Sequence, residues 1–233
     1  MAGRREAPPP RQVGQHFLAT EQIASELLRI AHVRATDLVV DVGAGDGRLT
    51  APLSRVAARV LAVEVDDRLA RGLRARFAST PSVTVIRADV RSVRWPREPF
   101  RVVANPPFAV TTDLLGELLG APARPLTAVD VIVQYGAAVK RTRPTGHAHN
   151  IAWAPWWRLH LARRLPAECF HPPPTVDAAL LVVRRRDPPL LPAGDAGRFA
   201  RFVAAGFRRH WGGREAPVGW WVDQYRRRER RLR

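Results

Sequence analysis

The chain has 233 residues, 46% of them hydrophobic, which suits one ordinary folded domain with a small appendage rather than a disordered chain. Thirty-eight basic residues stand against 21 acidic ones, a net charge of +17, and Lys140 is the one lysine among the basic residues. Such a balance points to a polyanionic partner, and with no amphipathic membrane anchor or bilayer-length apolar run that partner is expected to be nucleic acid. Arginine forks onto phosphate and stacks on bases, which favours folded RNA. The single cysteine, Cys169, excludes a disulfide framework, and no secretory leader is expected from the Arg- and Pro-rich start. A cytoplasmic monomer is the expectation.

In chain order, residues 1–12 read as a disordered basic arm with a Pro8-Pro9-Pro10 spacer. After Gln15-His16-Phe17-Leu18, Thr20 is placed to cap a helix whose apolar stripe is Ile23, Leu27, Leu28 and Ile30. Leu38 to Val42 reads as a buried parallel strand running into Gly43-Ala44-Gly45-Asp46-Gly47, then a helix through Leu49, Leu53 and Val56. A second strand, Val60 to Val63, ends in Glu64-Val65-Asp66. After a helix through Leu69, Leu73 and Phe77, a third strand, Val83 to Ile86, ends in Ala88-Asp89. A fourth apolar run, Phe100 to Ala104, stops at Asn105-Pro106-Pro107-Phe108, because two prolines cannot donate to a sheet ladder.

Repeated strand–helix alternation means an open, right-handed parallel sheet with its ligand crevice at the carboxyl ends of the strands: an α/β, Rossmann-like architecture with helices on both faces. Gly43–Gly47, Glu64, Asp89 and Asn105–Phe108 all fall at such ends. The glycines are spaced G-x-G-x-G, which matches neither the dinucleotide fingerprint nor a phosphate loop. Glu64 stands about twenty residues past the first glycine, the offset at which an acid grips ribose hydroxyls, and Asp89 is placed to accept from an adenine amino group. A ligand with adenine, ribose and no essential phosphate fits these four features: S-adenosylmethionine.

Further on, Thr111-Thr112-Asp113 can cap a helix through Leu114, Leu115, Leu118 and Leu119, and Val129 to Val133 is another buried strand. Lys140 to Asn150 is expected to be a mobile loop. Its His147 and His149 have no third ligand at usable spacing, so no metal site is expected. At least two of Trp153, Trp156 and Trp157 are expected in the core. Phe170-His171-Pro172-Pro173-Pro174-Thr175-Val176-Asp177 precedes a strand over Ala178 to Val183, and Arg184–Arg186, the C-terminal helix and the terminal arginines are candidates for phosphate contacts. The chain divides into the arm (1–12), the sheet domain (13–186), a small helical segment (187–211, with Phe199, Phe202, Val203 and Phe207) and an Arg-rich tail (212–233).

Along most of residues 12 to 186 the chain resembles the ribosomal RNA adenine-N6 methyltransferases, the group containing the Erm macrolide-resistance enzymes and the small-subunit dimethyltransferase KsgA. Gln15-His16-Phe17-Leu18 parallels Q-N-F-L with His for Asn. Asp41 to Thr50 parallels E-I-G-P-G-x-G-x-L-T, Asn105–Phe108 stands where the family has N-I-P-Y or N-L-P-Y, and Phe170–Asp177 parallels F-x-P-x-P-x-V-D. Gln134-Tyr135 and the short region after Asp187 look more Erm-like than KsgA-like. The resemblance implies S-adenosylmethionine-dependent methylation of an adenine N6 in 23S rRNA near the peptidyl-transferase centre, and with it macrolide, lincosamide and streptogramin B resistance. Together with the strand-end reading it assigns Gln15, His16, Leu18, Gly43, Gly45, Gly47, Glu64, Val65, Asp89, Val90 and Asn105 to cofactor binding. Asn105, Pro106, Phe108 and Phe170 are assigned to methyl transfer, with Phe108 on one face of the adenine and Phe170 on the other. The Pro107-Phe108 ending resembles the N-P-P-Y/F of DNA amino-methyltransferases, so that activity stays open, as do a KsgA-like enzyme and a non-enzymatic RNA-binding assembly factor.

Overall fold

A computed structural model describes residues 16–211 and 215–231, so the basic arm expected over 1–12 and Gln15 lie outside the described residues. The short strand β1 (Phe17–Leu18) leads into α1 (Glu21–Ala31), capped as expected by Thr20, whose Oγ1 accepts from Ile23 N at 3.3 Å. Next come β2 (Leu38–Val42), α2 (Thr50–Val56), β3 (Arg59–Glu64), α3 (Asp67–Arg76) and β4 (Val83–Arg87). After β5 (Phe100–Ala104) the chain forms α4 (Thr111–Leu119), β6 (Leu126–Gln134), α5 (Tyr135–Thr142), α6 (Ala148–Trp153) and β7 (Trp157–Leu165). It closes with β8 (Phe170–His171), β9 (Ala178–Arg185), α7 (Ala196–Arg208) and α8 (Val218–Arg231).

Seven strands form one sheet in the order β4-β3-β2-β5-β6-β9-β7, and β1 pairs separately with β8. The five from β4 to β6 are parallel, while β9 runs antiparallel to both neighbours, so the sheet is mixed at one side. From β2 the chain first builds outward through β3 and β4, then returns to add β5 and β6 on the other flank. The strand order therefore reverses between β2 and β5, the place where an open α/β sheet leaves a crevice. Val40 pairs with Val102, and carrying that register three residues on sets Gly43 beside Asn105.

Both faces are covered, which is why the strands read as unbroken apolar runs. On one face, Leu27 and Leu28 of α1 and Leu53 of α2 pack with Val39, Val60 and Val103, and Leu73 of α3 packs over Ala62. On the other, α4 contributes Leu114, Leu115, Leu118 and Leu119 to a cluster with Val40, Val102 and Val131. All three indoles of the 153–157 stretch are buried there. Trp156 Nε1 donates to Leu191 O at 2.8 Å and Trp157 Nε1 to Leu119 O at 3.1 Å, so the polar ends of both rings are satisfied. Cys169 is half-buried, and burial pushes its thiol up, so it stays protonated at neutral pH.

Three expectations need correction. Lys140–Asn150 is not one loop: α5 runs through Thr142 and α6 begins at Ala148, with buried Asn150 Nδ2 donating to Lys140 O and Arg143 O at 2.7 and 2.9 Å to close the turn between them. Residues 218–231 of the expected tail form α8. Trp221, Val222 and Tyr225, spaced on one helical face, are buried in the same cluster as Phe199 and Val203 of α7, and this apolar stripe outweighs the arginines around it. Finally, Arg184–Arg186 are committed within the fold. Arg184 pairs with Asp130 at 2.8 Å and donates to Ala31 O. Arg185 donates to Leu126 O, Pro122 O and Arg124 O and covers the Trp157 ring, and Arg186 donates to Ala154 O.

A buried charge network lies at the end of the sheet opposite the crevice. Asp130, fully inaccessible, meets Arg101 Nη2 and Arg184 Nη1, each at 2.8 Å. Arg101 also donates to Ala31 O and His32 O at the end of α1 and pairs with Asp37 at 2.9 Å. The guanidinium groups thus satisfy carbonyls that a helix end leaves without partners, at its negative pole, and Asp130 neutralises them. Among the described residues, no helix is long and apolar enough to cross a membrane.

Candidate active site

The crevice has two lobes that meet at Gly43 and Pro107. One is lined by His16, Phe17, Leu18, Asp41, Ala44, Gly45, Asp46, Arg48, Leu49 and Asn105. The other is lined by Val42, Val63, Glu64, Val65, Ala88, Asp89, Val90, Pro106 and Val110. The tips of β2, β3, β4 and β5 each contribute, as the strand-end reading expects.

The glycine loop is shaped by positive φ and close approach. Gly43 has φ +72°, and a Cβ there would lie 3.1 Å from Pro106 Cα, so only glycine lets the β2 and β5 tips meet this closely. Gly45 has φ +60°, and a Cβ would lie 2.6 Å from the Phe17 ring. Gly47 is different. Its backbone is also left-handed, but the space a Cβ would take is filled by Leu73 and Phe77, so this glycine seats the loop on α3 and lines neither lobe.

Glu64, buried at the tip of β3, accepts from Gly45 N at 2.8 Å on one oxygen and from Asp66 N at 2.9 Å on the other. It therefore fixes the glycine loop while lining the second lobe, and each oxygen keeps a further lone pair for a ligand hydroxyl. Asp89 accepts from Arg91 N at 2.9 Å, and Val65, Val90 and Val110 give that lobe apolar walls. At the tip of β5, Asn105 Nδ2 donates to His16 O at 2.8 Å. That bond spends the donor side of the amide on the protein and leaves Oδ1 as its acceptor.

Of the two aromatic residues expected at the target base, Phe170 is placed differently. Phe108 is half-buried beside the first lobe, its ring centroid 5.8 Å from that of His16, and it lines neither lobe. Phe170 is 3% exposed and packs with Leu18 across the β1–β8 ladder, so it belongs to the core and presents no open ring face to the crevice. The apolar F-x-P pattern signals burial as readily as stacking, and here burial wins.

Two further residues were missed. Asp41, 1% exposed, lines the first lobe. Its Oδ2 accepts from Thr50 Oγ1 at 2.7 Å, while Oδ1 is buried with no hydrogen-bond partner. Burial pushes its carboxyl up to about 7, the Thr50 hydroxyl pulls it back, and the charge of Glu64 adds to the rise. A carboxylate inside an otherwise apolar strand, Leu-Val-Val-Asp-Val, was the signal. Arg48 clamps the lobe: it pairs with Asp46 at 2.9 Å and donates to Leu18 O at 2.6 Å, tying β1 to the glycine loop.

The buried Asp41 carboxyl behind the first lobe, with one oxygen lacking a hydrogen-bond partner, suits a ligand with a cationic group at that end. The apolar second lobe, with two carboxylates at its rim, suits a nucleoside at the other. S-adenosylmethionine has both ends, so the residues present fit it.

Residues 10–211 match the family described as ribosomal RNA adenine dimethylase. The chain is 33% identical over 183 residues to the rRNA adenine N-6-methyltransferase of Bacillus licheniformis, an alignment covering 78% of this chain and 64% of that protein's length. It is 34% identical over 222 residues to an rRNA methyltransferase of Streptomyces thermotolerans, covering 93% and 73%. Among solved structures it is similar to the 23S rRNA methyltransferase ErmE, with a TM-score of 0.74, 27% identity and coverage of 84% and 80%. With the crevice at the β2–β5 reversal, the glycine cradle and the Asn-Pro-Pro-Phe tip, these matches establish that the chain belongs to the ribosomal RNA adenine dimethylase family.

Proposed function

We propose that this chain transfers methyl from S-adenosylmethionine to N6 of an adenine in 23S rRNA, the modification that makes Erm enzymes confer macrolide, lincosamide and streptogramin B resistance. The observation that carries the reading is the Asn105 amide. Its nitrogen is tied to the His16 carbonyl, and its oxygen remains an acceptor on the first lobe.

An adenine N6 amine is a weak nucleophile because its lone pair is delocalised into the ring. Asn105 Oδ1 and the Pro106 carbonyl accept the two N6 hydrogens, which favours a pyramidal nitrogen with its lone pair directed into the crevice. S-adenosylmethionine supplies an electrophilic methyl on a positively charged sulfur that departs as a neutral thioether. Asp41, buried behind the first lobe, lends negative potential to the side that would take its ammonium, while Glu64 would hold the ribose hydroxyls and Asp89 the adenine amine, with Val65 and Val90 against the ring. The methylated nitrogen, now positively charged and strongly acidic, sheds one of its two protons to solvent, so catalysis is positioning and electrostatics with no strong general base required. Phe108 offers a stacking face to the extruded or unpaired target base.

The basic surface supplies salt-dependent, sequence-independent attraction to RNA. Exposed arginines of α8, Arg227, Arg230 and Arg231, are better placed for phosphate than Arg184–Arg186. The decisive experiment offers labelled S-adenosylmethionine to naked 23S rRNA, small ribosomal subunits and duplex DNA, and maps the modified base. Label at N6 of an adenine in 23S rRNA is expected. Label confined to small subunits or DNA, or absent throughout, would overturn the reading. Asn105→Ala should abolish transfer while cofactor binding survives.

A further inference from the structure

His16 touches three separate parts of the site. Its carbonyl accepts from Asn105 Nδ2 at 2.8 Å, its ring lies 5.8 Å from Phe108, and its Nδ1 is 2.8 Å from Pro172 O. The β1–β8 register produces the last contact: Phe17 faces His171, so residue 16 faces residue 172 across the antiparallel pair. A carbonyl only accepts, so Nδ1 must carry the hydrogen, and the ring is held in one orientation with one tautomer.

The spacing to Phe108 has a further consequence. A base sandwiched between two rings needs about twice the usual ring-to-base separation, and aromatic centroids in direct contact already lie roughly 4.5–7 Å apart. At 5.8 Å with planes tilted by 37°, His16 and Phe108 are in contact with each other and leave no slot between them. Phe170 is buried and offers no second face either. A target base that stacks on Phe108 is therefore confined to the ring face that His16 leaves uncovered.

We infer that His16 is a positioning residue: anchored on Pro172, its ring backs Phe108 from behind while its carbonyl orients the Asn105 amide, so that stacking face and N6 acceptor are set together. This rests on the methyl-transfer reading above. The carbonyl survives any substitution, so side-chain variants test the anchored ring alone. His16→Asn keeps a donor that can reach Pro172 O but removes the ring, and His16→Phe keeps a ring without the donor.

Single-turnover methylation of 23S rRNA is measured beside cofactor and RNA dissociation constants and thermal unfolding. His16→Ala should lower kcat about tenfold, beyond any change that its place in the lining of the first lobe produces in the cofactor dissociation constant, with RNA binding within twofold of wild type, the signature of an interaction used in the transition state. His16→Asn should recover part of that loss at an unchanged melting temperature, and His16→Phe should not recover fully. A kcat within twofold of wild type in His16→Ala, or a loss that tracks weakened cofactor binding, overturns the proposal. If His16→Ala fails to fold, a wild-type kcat in His16→Phe overturns it equally. A wild-type protein that methylates no adenine would instead overturn the underlying reading, which the Asn105→Ala control identifies independently.

Discussion

Asp41 should make the stability of this protein fall as pH rises toward neutrality, and Asp41→Asn should remove that fall. The carboxyl is inaccessible, one oxygen has no partner, and burial raises it from 3.8 to about 7. Between those values the folded chain holds a proton that the unfolded chain has lost. Stability is then fully present below about pH 4, declines by about 1.4 kcal/mol per pH unit, and reaches its lower plateau above pH 7. The whole loss is about 4 kcal/mol, of which roughly 2–3 kcal/mol falls between pH 5 and 8. Other titrations are common to both proteins, so the difference between wild type and Asp41→Asn isolates this one. Urea unfolding at pH 5, 6, 7 and 8 should show the variant gaining 2–3 kcal/mol on wild type across that range, on the order expected from the linkage. Parallel stability curves would refute the reasoning. The same proton should appear in binding: a cationic end arriving at Oδ1 holds the carboxylate charged, so calorimetry near pH 6 should show proton release in wild type and none in the variant.

Other perturbations follow from single contacts. Gly45→Ala adds a Cβ 2.6 Å from the Phe17 ring at a left-handed backbone position, so cofactor affinity should drop at least about tenfold by calorimetry; the unfolding free energy should fall by about 1–3 kcal/mol. Asp130→Ala leaves Arg101 and Arg184 without their shared acid, and urea unfolding should register a loss of about 3–5 kcal/mol. Replacing Arg227, Arg230 and Arg231 together by alanine should flatten the salt dependence of RNA binding by about two units or more of slope. Arg185→Ala should lower the melting temperature and leave that slope nearly unchanged, because its donors are spent on three backbone carbonyls.

The sheet and the crevice were legible in the sequence because each strand end carries its own chemical mark. Two prolines stop β5, a glycine run stops β2, and acids stand at the last residue of β3 and just past β4. What escaped depends on which atoms meet across the fold. Gly47 has the same letter and left-handed backbone as Gly45, yet α3 claims the space beside it and Phe17 the space beside Gly45. Phe170 and Phe108 are both aromatic residues beside prolines, and only the β1–β8 pairing decides that Phe170 turns inward. Helix α8 was hidden because its arginines dominate the composition, while its packing rests on Trp221, Val222 and Tyr225.

The arginines carry two separable roles, which bears on how the charge is read. Arg48, Arg76, Arg101, Arg185, Arg186 and Arg226 all donate to backbone carbonyls, closing loops and helix ends with a fork that lysine's single ammonium cannot reproduce. Binding a neutral carbonyl does not remove the charge, so these residues still contribute to the long-range field that draws in a polyanion. The N–H groups so engaged, however, are unavailable for the directed contacts that fix register on a phosphate backbone, which only the remaining donors of each fork can make. The net charge of +17 thus measures attraction, whereas, on the proposed reading, orientation of an RNA over Asn105 would rest on the smaller set of arginines whose guanidinium groups face solvent.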